Sequence, residues 1–263
     1  LVRGEGAFAL RLVSIPAVLL ALLCAWSVPQ TPWGLTAYGR FMATYAHRFA
    51  PGIAKDEDVP FGPGDGPDIY CTYMGEGLNG SVVVTKWRNG KRYFHSAGKV
   101  QASSGPQDMR LQRLLGHISA LGVKAPKRVL VVAYGAGVTA GTFVLYPELE
   151  QLTLCDIEPL VPRRVTPQFK EQNYDVVNHP RTKLVNDDGR HFIRTTRDKF
   201  DVITSDPIDP WVKGCAALNT VEYYTWCMEH LNPGGVVTLW IPLYESNPET
   251  FKSVVATFFK VFP

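Results

Sequence analysis

The sequence predicts an α/β protein: a doubly wound parallel sheet, preceded by a small antiparallel β-sheet domain and an N-terminal transmembrane helix. Three observations carry this expectation. After Ala125 short apolar, β-rich runs alternate with helical stretches, the pattern of a parallel sheet covered on both faces. The first of those runs, in RVLVVAYGAGVTAG from Arg128 to Gly141, breaks abruptly on a glycine turn. Far ahead of it lies LVSIPAVLLALLCAWSV, an uncharged apolar run from Leu12 to Val28.

A chain of 263 residues holds one large domain or two modest ones and can bury a real core. The formal net charge of +3 comes with scattered basic residues, so nothing supports a nucleic-acid partner. Cys24, Cys71, Cys155, Cys215 and Cys227 are odd in number, far apart and without metal-ligand spacing; they read as reduced thiols of a reducing compartment. His95, His117, His179, His191 and His230 show no metal spacing either and read as packing or surface residues, so no metal is expected. The chain starts at Leu1 rather than methionine and stops at Pro263 just after an apolar helix-like run, which suggests a piece of a longer protein.

The run from Leu12 to Val28 is at the short limit of the roughly 17 to 25 residues that span a bilayer, with Arg11 before it and Trp26 near its end. A transmembrane segment over residues 1–30 is the first reading; a secretory signal core and a buried helix compete with it. Arg3 and Arg11 would put the N-terminus in the cytoplasm, whereas a cytosolic co-substrate needs the body of the protein there. Two arginines with Glu5 between them are the weaker argument. From Thr31 to Phe49, Trp33, Tyr38, Phe41, Tyr45 and Phe49 recur at spacings that suit an amphipathic helix, at a membrane interface or packed in the ordinary way. Pro51 to Pro67 is rich in Pro, Gly and acid and reads as a linker, closing the segment 31–67.

Residues 68–125 form the predicted β-rich domain. IYCTYMGEG, GSVVVTKW and RYFHSAGKVQAS are short strand-like runs, and Asn89-Gly90 between the last two is a strong hairpin signal. Met109 to Leu121 has helical apolar spacing and ends at Gly122.

From 126 to 263 the predicted strands are Val129–Val132, Leu152–Cys155, Thr182–Val185, Val202–Thr204 and Val236–Trp240. Ligands of such sheets sit at the carboxyl ends of the strands, so the residues directly after each strand are the candidates. After the first, Gly135 and Gly137 let the chain turn tightly and a nucleotide approach the backbone, with a helix starting near Val138 or Thr139; packing alone is the competing reason for glycine. After the second, Asp156-Ile157-Glu158 offers a carboxylate to the hydroxyls of a ribose, Asp156 being the better placed. After the third, Asn186-Asp187-Asp188-Gly189 offers Asp188 to an adenine amino group. After the fourth, Ser205-Asp206-Pro207-Ile208-Asp209-Pro210 sets two acids on a proline-stiffened loop, suited to taking a proton from an ammonium or holding a cationic substrate.

Each acid alone has a helix cap or a turn as its competing role. Jointly they describe a nucleoside pocket beside an acidic reaction centre. Gly135-x-Gly137-x-x-Ala140 with Asp156 about 20 residues on also fits a nicotinamide dinucleotide. That ligand has no use for Asp188 or the Asp206 loop, whereas an S-adenosylmethionine-type co-substrate uses all three acids.

On these residues the chain resembles the spermidine synthase family, and more closely the bacterial membrane proteins in which a spermidine synthase-like domain follows transmembrane helices. The resemblance runs from about Tyr70 to Pro263 through NGKRYFHSAGKVQAS, QRLLGH, RVLVVAYGAGVTAG, LCDIEP, NDDGRHFI, FDVITSDPIDPW and EYYTWCMEHLNPGGVV. It implies a methyltransferase-like Rossmann domain joined to the β-sheet domain with its gate helix. It also implies a membrane anchor in the bacterial inner membrane, with the body in the cytoplasm. The implied co-substrate is decarboxylated S-adenosylmethionine or S-adenosylmethionine itself, held by Gly135, Gly137, Asp156, Glu158, Asp187, Asp188 and Gln112. Asp206 is implied as the base that activates the attacking amine, and Asp209 as a second holder of that amine. The implied partners are a small-molecule amine and a membrane, with a homo-oligomer or a larger membrane assembly left open.

The chemistry the resemblance implies is transfer of an aminopropyl group to putrescine. The sequence departs from the family twice. Where the family has Gly-Gly-Gly-Asp-Gly this chain has Ala133-Tyr134-Gly135-Ala136-Gly137, so Ala136 replaces the aspartate that holds the aminopropyl ammonium. The family's gate-helix tyrosine is Leu111 here, beside Gln112. Three readings stand: an aminopropyltransferase-like enzyme, a methyltransferase on another acceptor, and a non-catalytic nucleoside-binding or structural domain of a membrane assembly.

Overall fold

The computed structural model describes residues 3–28, 31–39, 69–205, 209–212, 214–243 and 246–263. Leu1–Pro32 and Trp33–Pro263 are two separate compact units. In the first, helix α1 runs from Arg3 to Ser27. No helix among the described residues is long and apolar enough to cross a membrane, which overturns the predicted span and, with it, the membrane-anchored placement. The reason is length: Arg3, Glu5 and Arg11 lie within α1, and from Leu12 to Ser27 a helix rises only about 24 Å against roughly 30 Å of hydrocarbon.

The second unit opens with α2, Trp33–Tyr38. The rest of the expected amphipathic helix, with Phe41, Tyr45 and Phe49, and the linker from Pro51 to Pro67 lie outside the described residues. Ala37 and Tyr38 of α2 bury themselves with Ile69 and Val83. Strands β1 (Ile69–Glu76), β2 (Ser81–Trp87), β3 (Arg92–Ser96) and β4 (Lys99–Ser103) follow as an antiparallel meander. The run RYFHSAGKVQAS, expected as one strand, is two. Ala97 (φ 53°) and Gly98 (φ 74°) both take the left-handed conformation of a two-residue hairpin turn. An alanine in that position conceals the turn from any reading based on residue preference.

Helix α3, Pro106–Leu121, begins on a proline whose missing N–H costs nothing in a first turn, and it ends at Gly122. The parallel sheet then builds in the order β7-β6-β5-β8-β9. Its strands are β5 (Arg128–Val132), β6 (Gln151–Asp156), β7 (Thr182–Asn186), β8 (Phe200–Ser205) and β9 (Leu231–Leu239). The helices α4 (Val138–Thr142), α5 (Lys170–Asn173), α6 (Gly189–Thr195), α7 (Val221–Glu229) and α8 (Pro248–Phe259) lie between and after them.

Central β5 explains itself by alternation. Val129 and Val131 enter a core with Phe143, Leu152 and Leu154, while Leu130 and Val132 enter the opposite one with Ile193, Tyr223 and Tyr224. Burying each such aliphatic side chain stabilises by roughly 1.5–3 kcal/mol, so this strand fixes the level of everything that follows it. The antiparallel sheet shares the first core: Val82, Val84 and Phe94 pack with Tyr134 and Ala136 of the glycine turn. The two sheets therefore meet where β5 ends.

Candidate functional site

The turn after β5 is built from left-handed residues, Ala133 (φ 56°), Gly135 (φ 48°) and Gly137 (φ 79°). A Cβ on Gly137 would lie 2.7 Å from Thr166 Cγ2, so close packing as well as conformation requires glycine there. The turn's carbonyls are tied down. Thr166 Oγ1 donates to the Gly135 carbonyl at 2.8 Å, and Asn173 Nδ2 donates to the Ala136 carbonyl at 2.8 Å. Asn173 Nδ2 also donates to the Thr166 carbonyl at 2.9 Å, which locks the clamp to the turn it clamps.

Asp156 ends β6 beside this turn and is 8% exposed. Its Oδ1 accepts the Glu158 N–H at 2.9 Å. Burial pushes its carboxyl up to about 7, against the backbone N–H groups of Glu158 and Gly135, which favour the charged form. Burial and the Asp156 charge together also push the Cys155 thiol and the Tyr134 hydroxyl well up, so both stay neutral.

The other predicted site residues are committed to local structure. Glu158 is buried and accepts the N–H of Asn79 at 2.9 Å and of Leu160 at 3.0 Å, which pins the β1–β2 hairpin to the end of β6. Asp187 accepts the Asp188 N–H at 2.8 Å through Oδ1 and pairs with His191 Nδ1 at 2.7 Å through Oδ2. Asp188 caps α6, its Oδ1 accepting from the N–H groups of Arg190 at 2.7 Å and His191 at 3.3 Å. Gln112 is buried, and its amide donates to the carbonyls of Asp108 at 3.2 Å and Ser103 at 3.4 Å, fastening α3 to β4.

Asp206, with Pro207 and Ile208, lies outside the described residues. Asp209 is 5% exposed, and its Oδ2 accepts the Lys99 ammonium at 2.6 Å. Asp156 thus ends β6 and Asp209 lies in the loop after β8, and these two strands flank β5, whose carboxyl end carries the glycine turn. Sequence reasoning missed Lys99, Thr166 and Asn173. Lys99 stands in the motif KVQAS, where only its position after Gly98 set it apart; nothing local marks the other two. Among the described residues no group of three or more His, Cys, Asp or Glu side chains is arranged to hold a metal ion, and all five cysteines are free.

Fold and strand-end acids together define a Rossmann-like α/β protein carrying an added antiparallel sheet, with its candidate site at the carboxyl edge where this class receives ligands. The profile of the spermine/spermidine synthase domain matches residues 108–263, more than half of the chain, and the chain belongs to that family. It is 36% identical over 123 residues to the polyamine aminopropyltransferase of Erwinia tasmaniensis, covering 47% of this chain and 43% of that protein. It is 29% identical over 182 residues to polyamine aminopropyltransferase 2 of Ralstonia nicotianae, covering 67% of this chain and 34% of that one. The chain therefore spans less than half the length of these curated relatives. Two solved structures share the fold. One is a spermidine synthase in complex with the transition state analogue AdoDATO (TM-score 0.66, 24% identity, 73% of this chain and 64% of that one). The other is the spermidine synthase of Thermotoga maritima (TM-score 0.63, 23% identity, with coverage of 73% and 64%).

Proposed function

We propose that this chain is an aminopropyltransferase-like enzyme that binds decarboxylated S-adenosylmethionine and passes its aminopropyl group to a small amine. The observation that carries this reading is the pair of buried carboxylates, Asp156 at the end of β6 and Asp209 in the loop after β8, the strands either side of β5. Asp156 is the residue to accept the ribose hydroxyls, because its carboxylate is already oriented by backbone N–H groups and retains acceptor capacity. Asp188 holds one oxygen in the cap of α6 and presents the other side of its carboxyl group to an adenine amino group. The family membership and the aminopropyltransferase relatives support the same chemistry.

When bound, the co-substrate supplies a carbon activated by its sulfonium. The acceptor nitrogen forms a C–N bond to that carbon, and the C–S bond breaks with its electron pair going to sulfur, leaving a neutral thioether. The proton the nitrogen loses goes to the carboxylate of Asp206. The chain's own part is alignment and proton acceptance: a rigid turn fixes the donor, and Asp206 takes up the proton that the attacking amine loses.

One feature favours methyl transfer from intact S-adenosylmethionine as the second reading. Ala136 is buried at 1% exposure in the turn, where no carboxylate is offered to an aminopropyl ammonium. Calorimetric titration of the whole chain with decarboxylated and with intact S-adenosylmethionine, followed by product mass with a small primary amine, separates the readings. Tight binding of the decarboxylated form and a product heavier by one aminopropyl group is expected. Preference for the intact form overturns the aminopropyl reading, and binding of neither leaves the non-catalytic one. Asp206→Asn is expected to abolish transfer while sparing donor affinity.

A further inference from the structure

Lys99 is the first residue of β4, directly after the Ala97-Gly98 turn, and it belongs to the antiparallel sheet. Asp209 belongs to the loop after β8, 110 residues further on. Their charged atoms meet at 2.6 Å, with the lysine 14% and the aspartate 5% exposed. The ammonium also lies 6.0 Å from the centre of the Trp211 ring, within range of its negative face. A cation held by a buried carboxylate and an aromatic face is the arrangement expected of a bound ammonium ligand. Here the chain supplies that ammonium itself.

The consequence concerns the acceptor, and it rests on the transfer reading above. A diamine brings two amino groups. One must be neutral to attack; the other remains an ammonium and needs a carboxylate. Asp209, the carboxylate the site could offer that ammonium, already has its counter-ion. A second ammonium brought to Asp209 must either displace Lys99 from a buried ion pair or stand beside a like charge, and both are unfavourable. A monoamine meets neither cost. It needs one acid to take its proton, and the rest of its surface is neutral.

We infer that Lys99 is the specificity-determining residue of the acceptor subsite: its ammonium occupies the cation position that Asp209 creates, and the acceptor is a primary monoamine rather than a diamine. Lys99 takes no part in bond making. It acts by holding a place and by setting the charge of the pocket that an acceptor enters.

The test compares butane-1,4-diamine with butan-1-amine on the full chain, by calorimetry in the presence and absence of decarboxylated S-adenosylmethionine. The proteins are the wild type, Lys99→Met, which keeps length without charge, and Lys99→Arg, which keeps the charge. Lys99→Met is expected to bind the diamine at least tenfold more tightly than the wild type, with the monoamine changed less than threefold. Lys99→Arg is expected to keep the wild-type preference, and adding Asp209→Asn to Lys99→Met is expected to remove the gain. A diamine that binds Lys99→Met no better than wild type overturns the assignment. So does a wild type that transfers to the diamine with a lower KM than to the monoamine, a measurement that needs no variant to fold. Failure of the donor to bind, with the gain for the diamine intact, overturns the transfer reading and leaves the role of Lys99 standing.

Discussion

Gly77 lies against the carboxylate of Glu158 so closely that a Cβ on the glycine would meet the carboxyl carbon and both oxygens at 2.3 Å. The glutamate cannot simply swing aside, because the N–H groups of Asn79 and Leu160 hold it. This relationship ties the β1–β2 hairpin to the end of β6, one residue pair beyond Asp156. Gly77→Ala is therefore expected to destabilise by about 1–3 kcal/mol, through overpacking and loss of those bonds. Urea denaturation measures it. The cost of Gly77→Ala should be much smaller in a Glu158→Ala background, where the obstruction is gone; additive costs in the double variant would show that the two residues act separately.

The glycine turn should be as sensitive to its clamp as to its own glycines. Asn173 satisfies two buried carbonyls, of Ala136 and Thr166, through one amide nitrogen. Asn173→Ala leaves both without their donor and is expected to cost about 2–4 kcal/mol in urea denaturation. Asn173→Asp keeps the shape but turns an acceptor toward both carbonyls, so it should be at least as damaging. A stable Asn173→Asp protein would show that the carbonyls find other donors and that the turn is not held as described.

Much of this was legible because it is local. The β5 strand announces itself through four consecutive apolar residues, the turn through its glycines, and the acids through their position after each strand. Local reading failed where the deciding partner is distant or where residue preference is silent. Ala97 carries a left-handed φ that an alanine does not advertise. Lys99 meets Asp209 only after both sheets have folded. The run from Leu12 to Val28 reads as a membrane span by composition, yet the charged residues before it leave α1 too short in apolar length. Glu158 and Asp188 look like ligand acids in sequence, and the bonds they make to backbone N–H groups emerge only from the folded loops.

His95 is buried in β3, its Nε2 paired with Thr85 Oγ1 at 2.9 Å, and burial lowers its pKa to about 4. A base whose folded pKa is depressed contributes stability that is present above its unfolded pKa and is lost as pH falls through the folded value. The window runs from about 6.5 down to about 4. Falling pH across it should cost on the order of a few kcal/mol from this residue alone. His95→Gln, which keeps a polar partner for Thr85, should remove that loss, so that in urea denaturations the variant gains stability relative to the wild type on going from pH 6.5 to 4.5. A variant with the wild type's pH dependence would show that His95 does not contribute it.

Asp156 pulls the other way. Its folded pKa, about 7, stands above the ordinary 3.8 because burial penalises the carboxylate. An acid with a raised pKa contributes stability that is fully present below its unfolded value and is lost as pH rises through the folded one, between about 4 and 7. In the shared window the slopes of His95 and Asp156 oppose each other, so wild-type stability should look flat there and each variant should expose the other's slope. Asp156→Asn should be no less stable than wild type at pH 8, and its stability should fall with decreasing pH where the wild type holds level. The same carboxylate accepts hydroxyl protons best when ionised. Donor binding should therefore strengthen as pH rises through about 7 and should release a proton below it, seen as a binding enthalpy that varies with the ionisation enthalpy of the buffer. A binding enthalpy indifferent to buffer at pH 6 would mean that Asp156 does not meet the ligand, and the nucleoside site would have to be sought elsewhere on the carboxyl edge.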